Sequence, residues 1–111
     1  MIKIDAAFDN DGVLKSCSVA GHAGSGTKGY DIVCAAVSAL VMAASETLQV
    51  EGGIKAKLSA AKRGEFFLEA SAESAEDKIF LKAIGKLLTN GFKAVEREFP
   101  NNCSVGVTHG T

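Results

Sequence analysis

Residues 1–20, MIKIDAAFDNDGVLKSCSVA, carry the pattern that decides the fold. Ile2, Ile4, Ala6 and Phe8 alternate with more polar neighbours, and the period of two resumes at Val13, Cys17 and Val19. Such alternation puts the apolar side chains on one side of a strand. The intervening Asp9-Asn10-Asp11-Gly12 is a turn composition, so the segment reads as two strands joined by a turn.

Working outward, residues 21–29 contain four glycines and no apolar period, which reads as a loop. Asp31 is then expected to open a helix whose apolar stripe is Val33, Val37, Leu40, Ala44 and Leu48, ended by Gly52-Gly53. A second strand pair follows, with Ile54, Ala56 and Leu58 on one alternation and Phe66 and Leu68 on another, around Lys62-Arg63-Gly64. Residues 74–98 are expected to form a second helix with Ile79, Ala83, Leu87, Leu88, Phe92 and Val95 inward, stopping near Pro100. Residues 103–108 complete the chain as a last strand. The order ββαββαβ predicts an α+β fold, a mostly antiparallel sheet with both helices packed on one face as a two-layer sandwich. At 111 residues one domain spanning 1–111 is expected, and strand order within the sheet does not follow from the pattern.

Twelve Lys plus Arg against thirteen Asp plus Glu leave a formal charge of −1, unlike the basic footprint of a nucleic-acid binder. The amino terminus has neither a basic region nor an uninterrupted apolar one, so no secretory leader is expected. Residues 32–44 form the longest apolar run, interrupted by Ser38 and shorter than the ~20 residues a bilayer requires. A soluble, cytoplasmic protein without membrane contact is the expectation. The three cysteines, Cys17, Cys34 and Cys103, are an odd count without a CxxC pair and read as free thiols.

Chemistry concentrates in residues 21–34, GHAGSGTKGYDIVC, which combine a base, a nucleophile and a glycine-rich backbone. With Asp31 as N-cap, Cys34 falls in the first helical turn, where free N–H groups favour an anion such as a thiolate. His22, at the end of a strand, has a loop long enough to bring its imidazole back to Cys34, giving a Cys–His pair. Each residue also has a structural reading. Cys34 can pack as a small apolar residue, Asp31 can be only a cap, Tyr30 can pack, and Ser38 can bond back to its own helix. Cys17 and Cys103 read as structural. The glycine spacing in residues 21–26 resembles a phosphate loop, but Thr27-Lys28 stands in the wrong order for one. His22, Cys34, Cys103 and His109 lack paired ligand spacing, so no metal and no other cofactor is expected.

The stretch GHAGSGTKGYDIVCAAVSAL, residues 21–40, resembles the signature of the ribosomal-processing cysteine proteases, and chain length and element order resemble that family throughout. The resemblance implies His22 and Cys34 as catalytic residues, with Asp31 and Ser38 supporting. It further implies a substrate, the short N-terminal extension of a bacterial large-subunit ribosomal protein. A homodimer is implied too, as is a loop of Gly24, Gly26 and Gly29, with Tyr30 beside it, that covers the empty site and moves for substrate. The competing expectation is a noncatalytic ribosome-assembly or peptide-binding module, in which the loop grips a partner and Cys34 only packs.

Overall fold

The computed structural model describes residues 1–21, 28–60 and 64–110, with the backbone course alone for residues 28–31. Its elements are β1 (Ile2–Phe8), β2 (Leu14–Ala20), α1 (Lys28–Gln49), β3 (Ile54–Ser59), β4 (Phe66–Ala72), α2 (Ala75–Glu98) and β5 (Cys103–His109). The strands form one sheet in the order β3-β4-β2-β1-β5. β5 runs parallel to β1 and every other pair is antiparallel, so the expected α+β order holds with a mixed sheet.

Both helices cover the same face. Ile2, Ile4, Ala6 and Phe8 of β1, Cys17 and Val19 of β2 and Leu68 of β4 are buried against Val33, Val37, Val41 and Leu48 of α1 and Leu81, Leu88 and Phe92 of α2. Each such large apolar side chain contributes about 1.5–3 kcal/mol on burial. The opposite face exposes Lys3, Asp5, Lys55, Lys57 and Glu69, the polar half of the alternation. By length and composition α1 is apolar enough to cross a membrane, but Val33, Val37, Val41 and Leu48 are already spent in this core.

The first turn is tied by Asp9, whose Oδ1 accepts from the N–H groups of Asp11 (2.8 Å) and Val13 (2.9 Å). The Val13 hydrogen bond holds the Asp9 carboxyl below its ordinary value against the opposing effect of burial, helped by the Asp11 N–H and by Lys78 and Lys15. Gly12 closes the turn at φ 83°, a conformation that glycine adopts without strain. The ladder pairs Ala7 with Ser16 but Phe8 with Leu14, so Lys15 is an extra residue. That bulge shifts the alternation and brings Leu14 as well as Val13 inside, where a continuous period of two would have left Leu14 outside.

Two helix expectations are corrected. α1 begins at Lys28, so Gly29 and Tyr30 belong to its first turn instead of the preceding loop, and Asp31 is its fourth residue instead of its N-cap. The cost of one helical glycine, about 1 kcal/mol, is small beside the packing of a 22-residue helix. In α2 the inward face is Leu81, Gly85, Leu88, Thr89 and Phe92, whereas Ile79 is 69% and Leu87 67% exposed and Ala83 also faces solvent. The helix is rolled because Gly85 lets the sheet come close. A Cβ on Gly85 would stand 2.8 Å from Cε1 of Phe8 and 3.0 Å from Cβ of Leu14. The start of α2 is as expected, with Ser74 as N-cap accepting from the Asp77 N–H at 3.1 Å.

At the far edge, the helix end is bound to the sheet. The Cys103 N–H donates to the Phe99 carbonyl at 3.1 Å, and the Val105 N–H donates to Oε2 of Glu96 at 2.8 Å.

Candidate active site

Val33 and Val37 are fully buried and fix the roll of α1, which leaves Cys34 half-buried, packed against the core from its margin. With α1 starting at Lys28, Cys34 lies in the second helical turn. The helix dipole and the free N–H groups act chiefly within the first turn, which here is residues 28–31 and excludes Cys34. Cys34 therefore stands beyond the free backbone donors of the helix start and has a different neighbour.

That neighbour is Gly64. A Cβ on Gly64 would stand 3.6 Å from Cys34 Sγ, and Gly64 has φ 81°. The residue approaches the sulfur from the segment before β4 and offers it no side chain. Glycine is the residue for which this backbone conformation carries no steric cost.

The same end of the sheet is where β2 stops. The β2–β4 ladder closes with Val19 opposite Phe66, and Gly21 and Gly64 each lie two residues beyond that pair. Gly21 is held against β1, since a Cβ there would come within 2.9 Å of the Ile2 Cα. The chain thus leaves β2 toward His22 at the sheet end where Gly64 meets the Cys34 sulfur. His22, Gly24 and Gly26 themselves lie outside the described residues. Gly29, Tyr30 and Asp31 follow in the first turn of α1, one turn before Cys34, and Ser38 lies one turn after it, half-buried.

The other two thiols sit in the core. Burial, with a smaller contribution from Asp5, pushes the Cys17 thiol up to about 12. Burial, assisted by Glu96, also pushes Cys103 up. Both are held in the neutral form, consistent with their reading as structural residues. In the sequence Gly64 reads only as part of a hairpin connection. Its local signal, glycine after Lys62-Arg63, reports a turn and says nothing about a sulfur on α1.

A family model described as Cysteine protease Prp matches residues 1–104. The chain belongs to the cysteine protease Prp family. Among curated relatives, the ribosomal processing cysteine protease Prp of Bacillus subtilis (strain 168) is 29% identical over 109 residues, covering 95% of this chain and 96% of the relative. The solved structure of SMU.848 from Streptococcus mutans superposes with a TM-score of 0.81 at 26% identity, covering 98% of this chain and 95% of that one. An essential ribosomal processing protease Prp from S. aureus, solved in complex with a substrate peptide, gives a TM-score of 0.79 at 19% identity over 96% of this chain and 99% of its own. As a member of the Prp family the chain is a cysteine protease, a hydrolase of peptide bonds. The noncatalytic module is thereby set aside.

Proposed function

We propose that residues 1–111 act as one protease domain, a cytoplasmic endopeptidase that removes the short N-terminal extension of a bacterial large-subunit ribosomal protein, with Cys34 as nucleophile and His22 as general base and acid. The observation that carries this reading is the half-buried Cys34 sulfur beside Gly64, at the sheet end where β2 hands the chain to His22. The ribosomal-processing name of the Bacillus relative supports the substrate class.

In this reading the imidazole of His22 takes the Cys34 thiol proton, and the sulfur attacks the scissile carbonyl carbon. The tetrahedral intermediate collapses with cleavage of the C–N bond. His22 returns the proton to the leaving amine, which departs as the new amino terminus of the trimmed protein. Water, deprotonated by His22, then hydrolyses the thioester and releases the extension. Backbone N–H groups are the donors for the oxyanion, from the first turn of α1 or the glycine-rich loop. With the cap role gone, Asp31 is assigned to orienting His22, and Ser38 supports the site from the following turn. Gly24, Gly26, Gly29 and Tyr30 form and flank the segment that must move for substrate. The substrate binds extended, its apolar side chains in pockets, as peptides that add to a sheet edge do.

The enzyme works as a homodimer, a reading supported by the family resemblance and by the outward apolar row Ile79, Ala83 and Leu87 on α2. It uses no cofactor or metal and binds neither nucleic acid nor membrane directly. Cleavage of an extension-bearing ribosomal protein tests the chemistry. Cys34→Ala abolishes it, His22→Ala strongly reduces it, and Cys17→Ala and Cys103→Ala retain it. Full activity of Cys34→Ala refutes the reading.

A further inference from the structure

At the opposite edge of the sheet from Cys34, a cavity of about 210 Å³ opens between α2 and the β1/β5 pair. One wall is apolar and aromatic. Phe8 and Val107 line it, and the His109 ring stacks on Phe8 with centroids 5.3 Å apart at 23°. The other wall is one face of α2, where Lys86, Thr89, Asn90 and Lys93 fall at i, i+3, i+4 and i+7. Two ammonium groups therefore stand a turn to either side of Asn90, and none of the described lining residues carries a carboxylate.

Thr89 adds an independent observation. It is only 7% exposed, and its hydroxyl has no hydrogen-bond partner among the described residues. A buried hydroxyl left unpaired is costly, and helical threonines ordinarily bond back to the preceding turn, as Thr47 does to the Ala43 carbonyl at 2.7 Å. Nothing in the proposed protease chemistry calls for this hydroxyl, the two lysines or the Phe8–His109 stack.

We infer that this cavity is a binding site for a small organic anion, its apolar or aromatic body against Phe8 and Val107 and its phosphate or carboxylate head between Lys86 and Lys93. The volume is below the ~300–1,000 Å³ typical of pockets for drug-sized ligands, so the ligand is of the size of a single substituted ring. The lysines supply charge-assisted hydrogen bonds, Asn90 an amide donor, and Thr89 a donor that an acceptor on the ligand satisfies. The apolar wall distinguishes this site from a surface that merely collects phosphate by charge.

The test is titration of the ¹⁵N-labelled full chain with phenyl phosphate and benzoate, and with inorganic phosphate and benzyl alcohol as the head and the body alone. Phenyl phosphate or benzoate is expected to bind saturably, shifting the amides of Phe8, Thr89, Val107 and His109. Inorganic phosphate and benzyl alcohol are expected to bind at least about tenfold more weakly. Lys86→Met and Lys93→Met, both at exposed positions, should each weaken the preferred ligand by about tenfold. Thr89→Val should weaken it by less while preserving the fold. Whichever of phenyl phosphate and benzoate binds more tightly identifies the head group. Unsaturable shifts spread over all lysines, inorganic phosphate binding as tightly as phenyl phosphate, or unchanged affinity in the Lys86→Met/Lys93→Met double variant would overturn the inference.

Discussion

Cys34 Sγ lies 3.6 Å from the position that a Cβ on Gly64 would take, and Gly64 holds φ 81°. A methyl group at that distance makes an ordinary contact, so the cost of Gly64→Ala is the left-handed backbone, about 1–2 kcal/mol. Its melting temperature should fall by roughly 4–8 °C per kcal/mol while Cys34 remains open to alkylation. Gly64→Val also places branches on the sulfur and should slow both alkylation of Cys34 and peptide cleavage, the latter by about 10²-fold. Thermal melts, iodoacetamide kinetics and cleavage rates on the two variants read these effects separately. Normal cleavage by a folded Gly64→Val would show that the sulfur does not need this approach clear.

Thiol labelling should be selective. Cys17 and Cys103 are each only 1% exposed and held in the neutral form, while Cys34 is half-buried at the core margin. Native protein at pH 7.5 should therefore incorporate one equivalent of iodoacetamide at Cys34, and denatured protein three, as peptide mass spectrometry would show. Native labelling that persists in Cys34→Ser would contradict this order of accessibility.

Stability should fall at high pH. The Cys17 thiol is raised from its ordinary 9.0 to about 12 in the folded chain, so the folded state retains a proton that the unfolded state releases. This contribution is complete below pH 9 and is lost as pH rises toward 12, with Cys103 acting in the same direction. Cys17→Ala should cost about 1 kcal/mol near neutrality through lost packing, yet show a shallower decline in melting temperature between pH 9 and 11. Parallel pH profiles for the two proteins would rule out this linkage.

The cap of α2 is a local energy with a local readout. Ser74 Oγ accepts from the Asp77 N–H and donates to Asp77 Oδ2 at 2.8 Å. Ser74→Ala should destabilise the protein by about 1 kcal/mol, and Ser74→Thr, which keeps both the acceptor and the donor, by less. Chemical denaturation should show this as a lower midpoint with an unchanged slope.

Sequence legibility followed the range of the signals. The alternation through Ile2, Ile4, Ala6 and Phe8 became β1 with all four buried, because a strand's period is a property of neighbouring residues. Ser74 and Pro100 bracketed α2 for the same reason, since caps and stops act within one turn. The roll of α2 was not legible. Ile79, Ala83 and Leu87 make as good a stripe as the true one, and the deciding residue, Gly85, counts for nothing in a hydrophobic pattern until Phe8 is seen against it. The start of α1 was misplaced because the capping signal of Asp31 and the breaking signal of Gly29 both pointed past it. Strand order was beyond local reading, as β1 pairs with β5 from the other end of the chain. At the site, Cys34 was legible as a residue worth attention, but its contact with Gly64 depends on how α1 lies on the sheet.

The hydrogen bonds from Cys103 to Phe99 and from Val105 to Glu96 give the sheet a closed side. A sixth strand beside β5 would need those N–H groups, and the end of α2 already occupies them. The other border of the sheet is β3, which belongs to the hairpin whose Gly64 reaches Cys34. The two borders of the sheet are therefore unequal toward an added strand, and the fold is one-handed in that sense. A segment pairing beside β3 would lie on the hairpin side, whereas at β5 the start of the border, from Cys103 to Val105, is already bonded within the chain.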